Sequence, residues 1–194
     1  MRRYPMSLSA GVKWVTGLVV LLLCATPVVV WWLSPGIRIG GPHGPAGPFA
    51  QGIALWGTLL APVIALGCWA LSPKAIEVEG GELRVLRRAW RAAAWPLSRV
   101  DSVSVLPPRY LMGSVRTFGN GGLFGFYGWF YKKGAFRLFA TRTDRLVEVV
   151  IDGKRVVVSP DEPARLVEGL LSAAPRARSR QPGETGAASA SRTS

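Results

Sequence analysis

The stretch from Leu146 to Leu171, LVEVVIDGKRVVVSPDEPARLVEGLL, decides how the rest of the chain is read. Leu146 to Ile151 is apolar except for Glu148, and Val156 to Val158 is apolar again, with Asp152-Gly153 between them. An Asp-Gly pair tolerates the positive φ that a type I′ turn requires, so the two runs predict a β-hairpin. The period then changes. Leu166, Val167, Leu170 and Leu171 recur at helical spacing and predict one apolar stripe. Ser159 as N-cap, Pro160 at the first position and Glu162 three residues after the cap fit a capping box, with Asp161 as the alternative cap because Pro163 comes soon after. Pro175 ends the helix.

Upstream, the same two-residue alternation repeats. Phe136, Leu138 and Ala140 form one run; Val100, Val103 and Val105 form another, stopped by Pro107-Pro108. Ile76 and Val78 alternate with glutamates, Gly80-Gly81 makes a turn, and Leu83 and Val85 alternate with arginine, which predicts a second hairpin. Ala89 to Ala94, with Trp90 and Trp95 as anchors, reads as a third strand or its approach. About seven strands and then one helix therefore occupy residues 74–174, an α+β order in a segment long enough for one core.

The first part of the chain is of another kind. Trp14 to Leu33 and Phe49 to Leu71 carry no charged side chain, and at about 1.5 Å per helical residue each is long enough for a hydrocarbon core of roughly 30 Å. They predict two transmembrane helices, 14–33 and 49–71, joined by the glycine-proline loop 34–48 and preceded by a basic leader, 1–13. Trp14, Trp31 and Trp32 stand where aromatic residues mark the two interfaces. A cleaved signal peptide fits less well, because Leu23 precedes Cys24 where a small residue is wanted and a second apolar run lies downstream. Pro62 predicts a kink within the second span.

The net charge of +13 is distributed as +3 over residues 1–13, +1 in the loop, +6 over 73–174 and +3 in the tail 175–194. With Arg2, Arg3 and Lys13 on one side of the span pair, Lys74 and the basic domain after it, and only Arg38 in the loop, the positive-inside rule places both termini in the cytoplasm of a multi-pass inner (plasma) membrane protein. The tail has almost no large apolar residue and is expected to be disordered.

Several chemistries lack their residues. The polar domain has no histidine and no cysteine; Cys24 and Cys68 fall in the spans, and the single histidine, His43, falls in the loop. No metal-ligand spacing, cofactor motif or base for a serine nucleophile is present, so neither an enzyme nor a cofactor is expected. No helix-turn-helix, zinc-finger or RNP motif accompanies the positive charge, so nucleic acid is not an expected partner. Neither span interior holds an ionisable residue, which argues against a transport path through a single copy.

Met112 to Lys133 is the least ordinary part of the domain, because it interleaves aromatics with glycines. Phe126, Tyr127, Trp129, Phe130, Tyr131, Lys132, Lys133 and Arg137 are the candidate membrane or partner contacts. Two readings stand side by side. Glycines permit sharp strand curvature and aromatics fill a barrel; alternatively, aromatics favour the headgroup zone and lysines anionic lipid. Alternate side chains facing opposite ways would satisfy both. Arg84, Arg87, Arg88, Arg91 and Arg99 form a second basic set, read either as a solvated strand face or as a set suited to phosphate and carboxylate.

Gly125 to Phe130, then Ala140-Thr141, then Asp152-Gly153, then Ser159-Pro160 before the final helix is a pattern that resembles bacterial pleckstrin-homology (PH) domain membrane proteins, best over residues 117–172 and only loosely over 74–105. The resemblance implies a bent antiparallel sheet or barrel with a C-terminal helix plugging one end, and a membrane-tethered, non-enzymatic domain. It carries no catalytic residue and no defined ligand. The expectation is a protein-interaction or scaffolding module at the cytoplasmic face, docking another membrane protein or a second copy through its final helix or a strand edge. The alternatives are binding of anionic lipid headgroups, or service as a small accessory subunit of a transporter or envelope complex.

Overall fold

The computed structural model describes residues 2–33, 48–174 and 177, with side chains over 2–26, 59–174 and 177. His43, the loop 34–47 and most of the tail lie outside the described residues. In chain order the elements are β1 (Arg2–Pro5), α1 (Ala10–Leu33), α2 (Pro48–Leu71), β2 (Pro73–Glu79), β3 (Glu82–Arg87), β4 (Ala93–Pro96), a 3-10 turn (Leu97–Arg99), β5 (Val100–Leu106), β6 (Val115–Gly121), β7 (Phe126–Tyr131), β8 (Ala135–Ala140), β9 (Leu146–Ile151), β10 (Lys154–Val158) and α3 (Pro163–Ala173).

The strands form two sheets, β1-β2-β3-β4 and β5-β9-β10-β8-β7-β6. The two expected hairpin turns are present: Gly80-Gly81 and Asp152-Gly153 all have positive φ. Alternation sends Tyr127, Phe139, Val147, Val149, Val156 and Val158 from the second sheet against Ile76, Leu83 and Val85 of the first, with Leu166 and Leu170 of α3 closing the same core. The opposite face of the second sheet is also buried. Phe130, Phe136, Leu138 and Val157 form a smaller cluster covered by Tyr110 and Leu111 from the segment after β5.

Two expectations need correction. The domain is not one antiparallel sheet of about seven strands: among the described residues its nine strands, joined by β1 of the leader, form two sheets, and β8 runs parallel to β10 because the β9–β10 hairpin returns the chain beside β8. The expected capping box at Ser159 does not form. Glu162 is the N-cap, without a side-chain bond, and Pro163 opens the helix, since a residue with no N–H and a fixed φ suits the first helical position. The Ser159 hydroxyl instead accepts the Thr141 amide at 2.8 Å and the Arg142 amide at 3.3 Å, so the Ala-Thr and Ser-Pro pairs that end the parallel strands form a single buried latch. Residues 2–5 of the basic leader, for which the sequence gives no strand signal, are a strand: Arg2 pairs with Val78 and Tyr4 with Ile76 at the sheet edge. Asp161 anchors the turn between β1 and α1, accepting from the Ser7 amide at 2.9 Å and the Ser7 hydroxyl at 2.5 Å.

The helix α1 starts four residues before the expected span. Ser9 caps it, its hydroxyl accepting the Val12 amide at 3.3 Å. Pro62 lies inside α2. The described side chains stop at Thr26 in α1 and begin at Leu59 in α2; over them, no helix is long and apolar enough to cross a membrane, and the expected spans lie partly outside them.

Candidate functional site

The glycine-aromatic stretch is a hairpin, β6 with β7, and two glycines make it possible. Gly119 pairs with Gly128 across the strands, and a Cβ on Gly128 would sit 2.2 Å from the Phe118 carbonyl oxygen, so the backbones meet where no side chain fits. A bulge between Arg116 and Phe118 bends the edge strand.

The turn of this hairpin reaches the helices. The Phe124 amide donates to Thr16 Oγ1 of α1 at 2.9 Å. Its ring borders a cavity of about 540 Å³ between the helices, lined also by Val20, Cys24, Pro62, Leu66 and Trp69. The Tyr127 hydroxyl donates to the Cys68 carbonyl of α2 at 2.7 Å. Burial, and then this contact at Cys68, push the Tyr127 phenol above its ordinary range, so it stays protonated and donating.

The last turn of a helix leaves carbonyls without intrahelical partners. Here three of them are satisfied in succession: Cys68 by Tyr127, Trp69 by the Ser72 amide at 3.2 Å, and Ala70 by the Ala89 amide at 3.1 Å. Arg88 tightens the joint, its amide and its Nε each donating to Ser72 at 3.0 Å. The domain is therefore seated on the ends of α1 and α2 by hydrogen bonds from the β6–β7 hairpin and from the segment after β3.

The eight candidate contacts do not share one surface. Phe130 is buried and Phe126 packs beside it in the smaller cluster, whereas Tyr127 is buried in the main core. Trp129 and Tyr131 point outward and are exposed. Arg137 lies half-buried against Trp95, Trp129 and Phe139. The Lys132 ammonium is engaged internally, donating to the carbonyls of Tyr110 and, at 2.7 Å, Met112. Lys133 is exposed in the β7–β8 turn. That turn is at the opposite end of β7 from the helices, about 20 Å away at roughly 3.3 Å per strand residue. The two lysines and the helix-facing aromatics thus sit at opposite ends of the hairpin.

Sequence reasoning named a strand edge without locating it. Strand β6 ends the larger sheet, and Val115 and Phe118 on it are 63% and 76% exposed, next to Trp129 and Tyr131 of β7. The only signal was the position of Phe118 among glycines, which equally suits a packed strand. Among the described residues, no cluster of three or more histidine, cysteine, aspartate or glutamate side chains could hold a metal ion.

No curated protein and no solved structure matches the chain. The family model described as a bacterial PH domain matches residues 74–174, which run from the second residue of β2 to the residue after α3. On that match, and with the two-sheet core closed by a C-terminal helix, the chain belongs to the bacterial PH domain family.

Proposed function

We propose that this chain is a two-span protein of the cytoplasmic membrane whose PH domain is a fixed, non-enzymatic platform for binding another membrane protein or a second copy of itself. Both termini face the cytoplasm. The apolar runs of α1 and α2 support the anchoring: Trp14, Leu18, Leu21 and Leu22 on α1, and Leu59, Val63, Ile64 and Leu66 on α2, are exposed with no protein covering them among the described residues. A bilayer is the solvent in which such faces cost nothing. The charge asymmetry across the helices sets the orientation.

The observation that carries the interaction role is the β6 edge. An open edge strand presents unpaired backbone donors and acceptors, and soluble proteins generally blunt such edges with charge or proline. Here the edge has one exposed charge, Arg116, and a bulge beside it, and it still leaves Val115 and Phe118 open to solvent. Strand addition by a partner supplies backbone hydrogen bonds, with exposed side chains giving specificity. A photo-crosslinking amino acid at Phe118, in the full chain in its native membrane, is expected to yield one discrete adduct, whereas the same group at exposed Glu168 on α3 yields none. Absence of an adduct at Phe118, or equal labelling from both positions, would sink the edge as the contact.

A further inference from the structure

The two faces of strand β6 carry different chemistry, and both lie at the free edge of the larger sheet. Val115 pairs with Tyr131 and Phe118 with Trp129, and partners across a sheet share a face. On β7 that face is the one whose next member, Tyr127, enters the main core. At this end of the hairpin it stays open: Val115, Phe118, Trp129 and Tyr131 are 45% to 76% exposed and form an apolar shelf. Arg116 pairs with Phe130 of the smaller cluster, so it stands on the opposite face, exposed, with its guanidinium beside Gly121.

The edge also lies in a stretch of one charge sign. Residues 102–143 hold six basic side chains, Arg109, Arg116, Lys132, Lys133, Arg137 and Arg142, and no aspartate or glutamate. Lys132 is spent on backbone carbonyls, Arg137 on aromatic rings and Arg142 on Asp144 at 2.9 Å. Arg116 on the edge itself, and Lys133 in the turn just beyond the Val115–Tyr131 pair, remain exposed.

We propose that the β6 edge binds an extended segment of a different protein in which apolar and acidic residues alternate. The proposal rests on the edge reading above and names the chemistry of its partner. A segment added beside β6 puts successive side chains on the two faces, and neighbours across the strands on one face touch directly. Its apolar residues continue the shelf past Val115 and Phe118, burying surface that the hairpin leaves in water. Its acidic residues meet Arg116 on the other face, and Lys133 adds to the attraction. A second copy brings the wrong charge: its β6 offers another Arg116 and Lys133 and no carboxylate, on a domain of the same net sign. An anionic bilayer matches the charge but offers no strand to pair with the open backbone.

The test uses the full chain in phosphatidylcholine nanodiscs, with empty discs as the blank, and fluorescein-labelled peptides as long as β6, read by anisotropy. One peptide alternates glutamate and valine, one alternates lysine and valine, and one has the glutamates and valines of the first in two blocks. Saturable binding is expected for the first alone. Arg116→Glu should weaken it about tenfold, because attraction across the strands becomes repulsion, and should admit the lysine peptide. Phe118→Ala should also weaken it, whereas Arg165→Glu on α3, an exposed change of the same sign, should bind as the wild type does. All three positions are exposed, so the thermal midpoints should match that of the wild type. Binding of no peptide, equal binding of the glutamate peptide and either control, or a loss shared by Arg165→Glu would overturn this partner chemistry. So would capture of the discs by phosphatidylglycerol vesicles that Phe118→Ala abolishes, with no peptide bound, since the shelf would then belong to lipid. The crosslinking from Phe118 separates the two levels. A discrete adduct there without a preference for the glutamate peptide removes the partner chemistry and leaves the edge standing; no adduct removes both.

Discussion

Gly128→Ala is expected to lower the stability of the domain by about 3 kcal/mol or more, because it adds left-handed backbone strain to a clash that only main-chain movement relieves. Gly128 has φ +131°, and its added Cβ would stand 2.2 Å from the Phe118 carbonyl oxygen and 2.7 Å from the Gly119 Cα. Both neighbours are backbone, so no rotamer change removes the overlap. Separating the strands would displace Tyr127, one residue away, from Cys68, so the damage should spread to the helix joint. The thermal midpoint of the full chain in micelles and the protease resistance of residues 74–174 should both fall. Gly11→Ala is the contrast: nothing lies within 4 Å of the added Cβ, and its midpoint should stay level or rise slightly. A Gly128→Ala protein with the wild-type midpoint would refute the close approach.

Arg155→Ala is expected to cost roughly 2–4 kcal/mol, near the range for removing one partner of a buried ion pair. Arg155 Nε meets Glu148 Oε1 at 2.5 Å, with side chains only 24% and 16% exposed. The same guanidinium donates to the Lys132 carbonyl at 3.2 Å and to the Tyr110 hydroxyl, and it lies 5.6 Å over the Phe136 ring. Partial burial opposes the charge, but Glu148 and Tyr110 outweigh it and hold the Arg155 pKa above the ordinary value. One side chain thus clamps the covering segment, through Tyr110, onto the smaller core. Truncation leaves Glu148 partly buried with its charge uncompensated. Replacing both residues, Arg155→Leu with Glu148→Leu, should recover part of the loss, because no orphan charge is then left. Equal stability of the wild type and Arg155→Ala in chemical denaturation would show that the clamp contributes nothing.

Sequence alone disclosed the elements whose signals are local. Asp152-Gly153 between two apolar runs needs nothing beyond the turn residues to define a hairpin, and the Leu166-to-Leu171 stripe defines α3 in the same way. The parts that escaped are held by distant partners. RRYP has two charges, a proline and no alternation; it is a strand only because β2 offers an edge and the main core accepts Tyr4. Parallel pairing of β8 with β10 leaves no mark in either strand, since AFRLFA and KRVVV would serve an antiparallel neighbour as well. Ser159 has the right neighbours for a helix cap, yet its hydroxyl is drawn to Thr141, eighteen residues back.

The candidate contacts divide along the same line. Glycine among aromatics coincides with a close-packed, bent hairpin, and the alternate exposure of Trp129 and Tyr131 against Phe126 and Phe130 comes from strand period. What the spacing hides is direction. Lys132 and Lys133 adjoin the aromatics in sequence but lie at the end of β7 away from α1 and α2, and Lys132 spends its donors on Tyr110 and Met112. Arg87 and Arg137 are fifty residues apart and become neighbours only when the two sheets pack across Phe139.

Seating of the PH domain on the helix ends by the β6–β7 turn is what makes the proposed platform a fixed one. The most direct measurement places cysteines at Thr16 and Phe124 in a chain whose Cys24 and Cys68 are changed to alanine, then treats membranes with a short thiol-to-thiol crosslinker. The Phe124 amide and the Thr16 hydroxyl are 2.9 Å apart, so a fast crosslink within one chain is predicted, with none from a Thr16 and Lys133 pair at the far end of β7. A domain that swings freely would crosslink both pairs slowly and alike, and that result would contradict the seating.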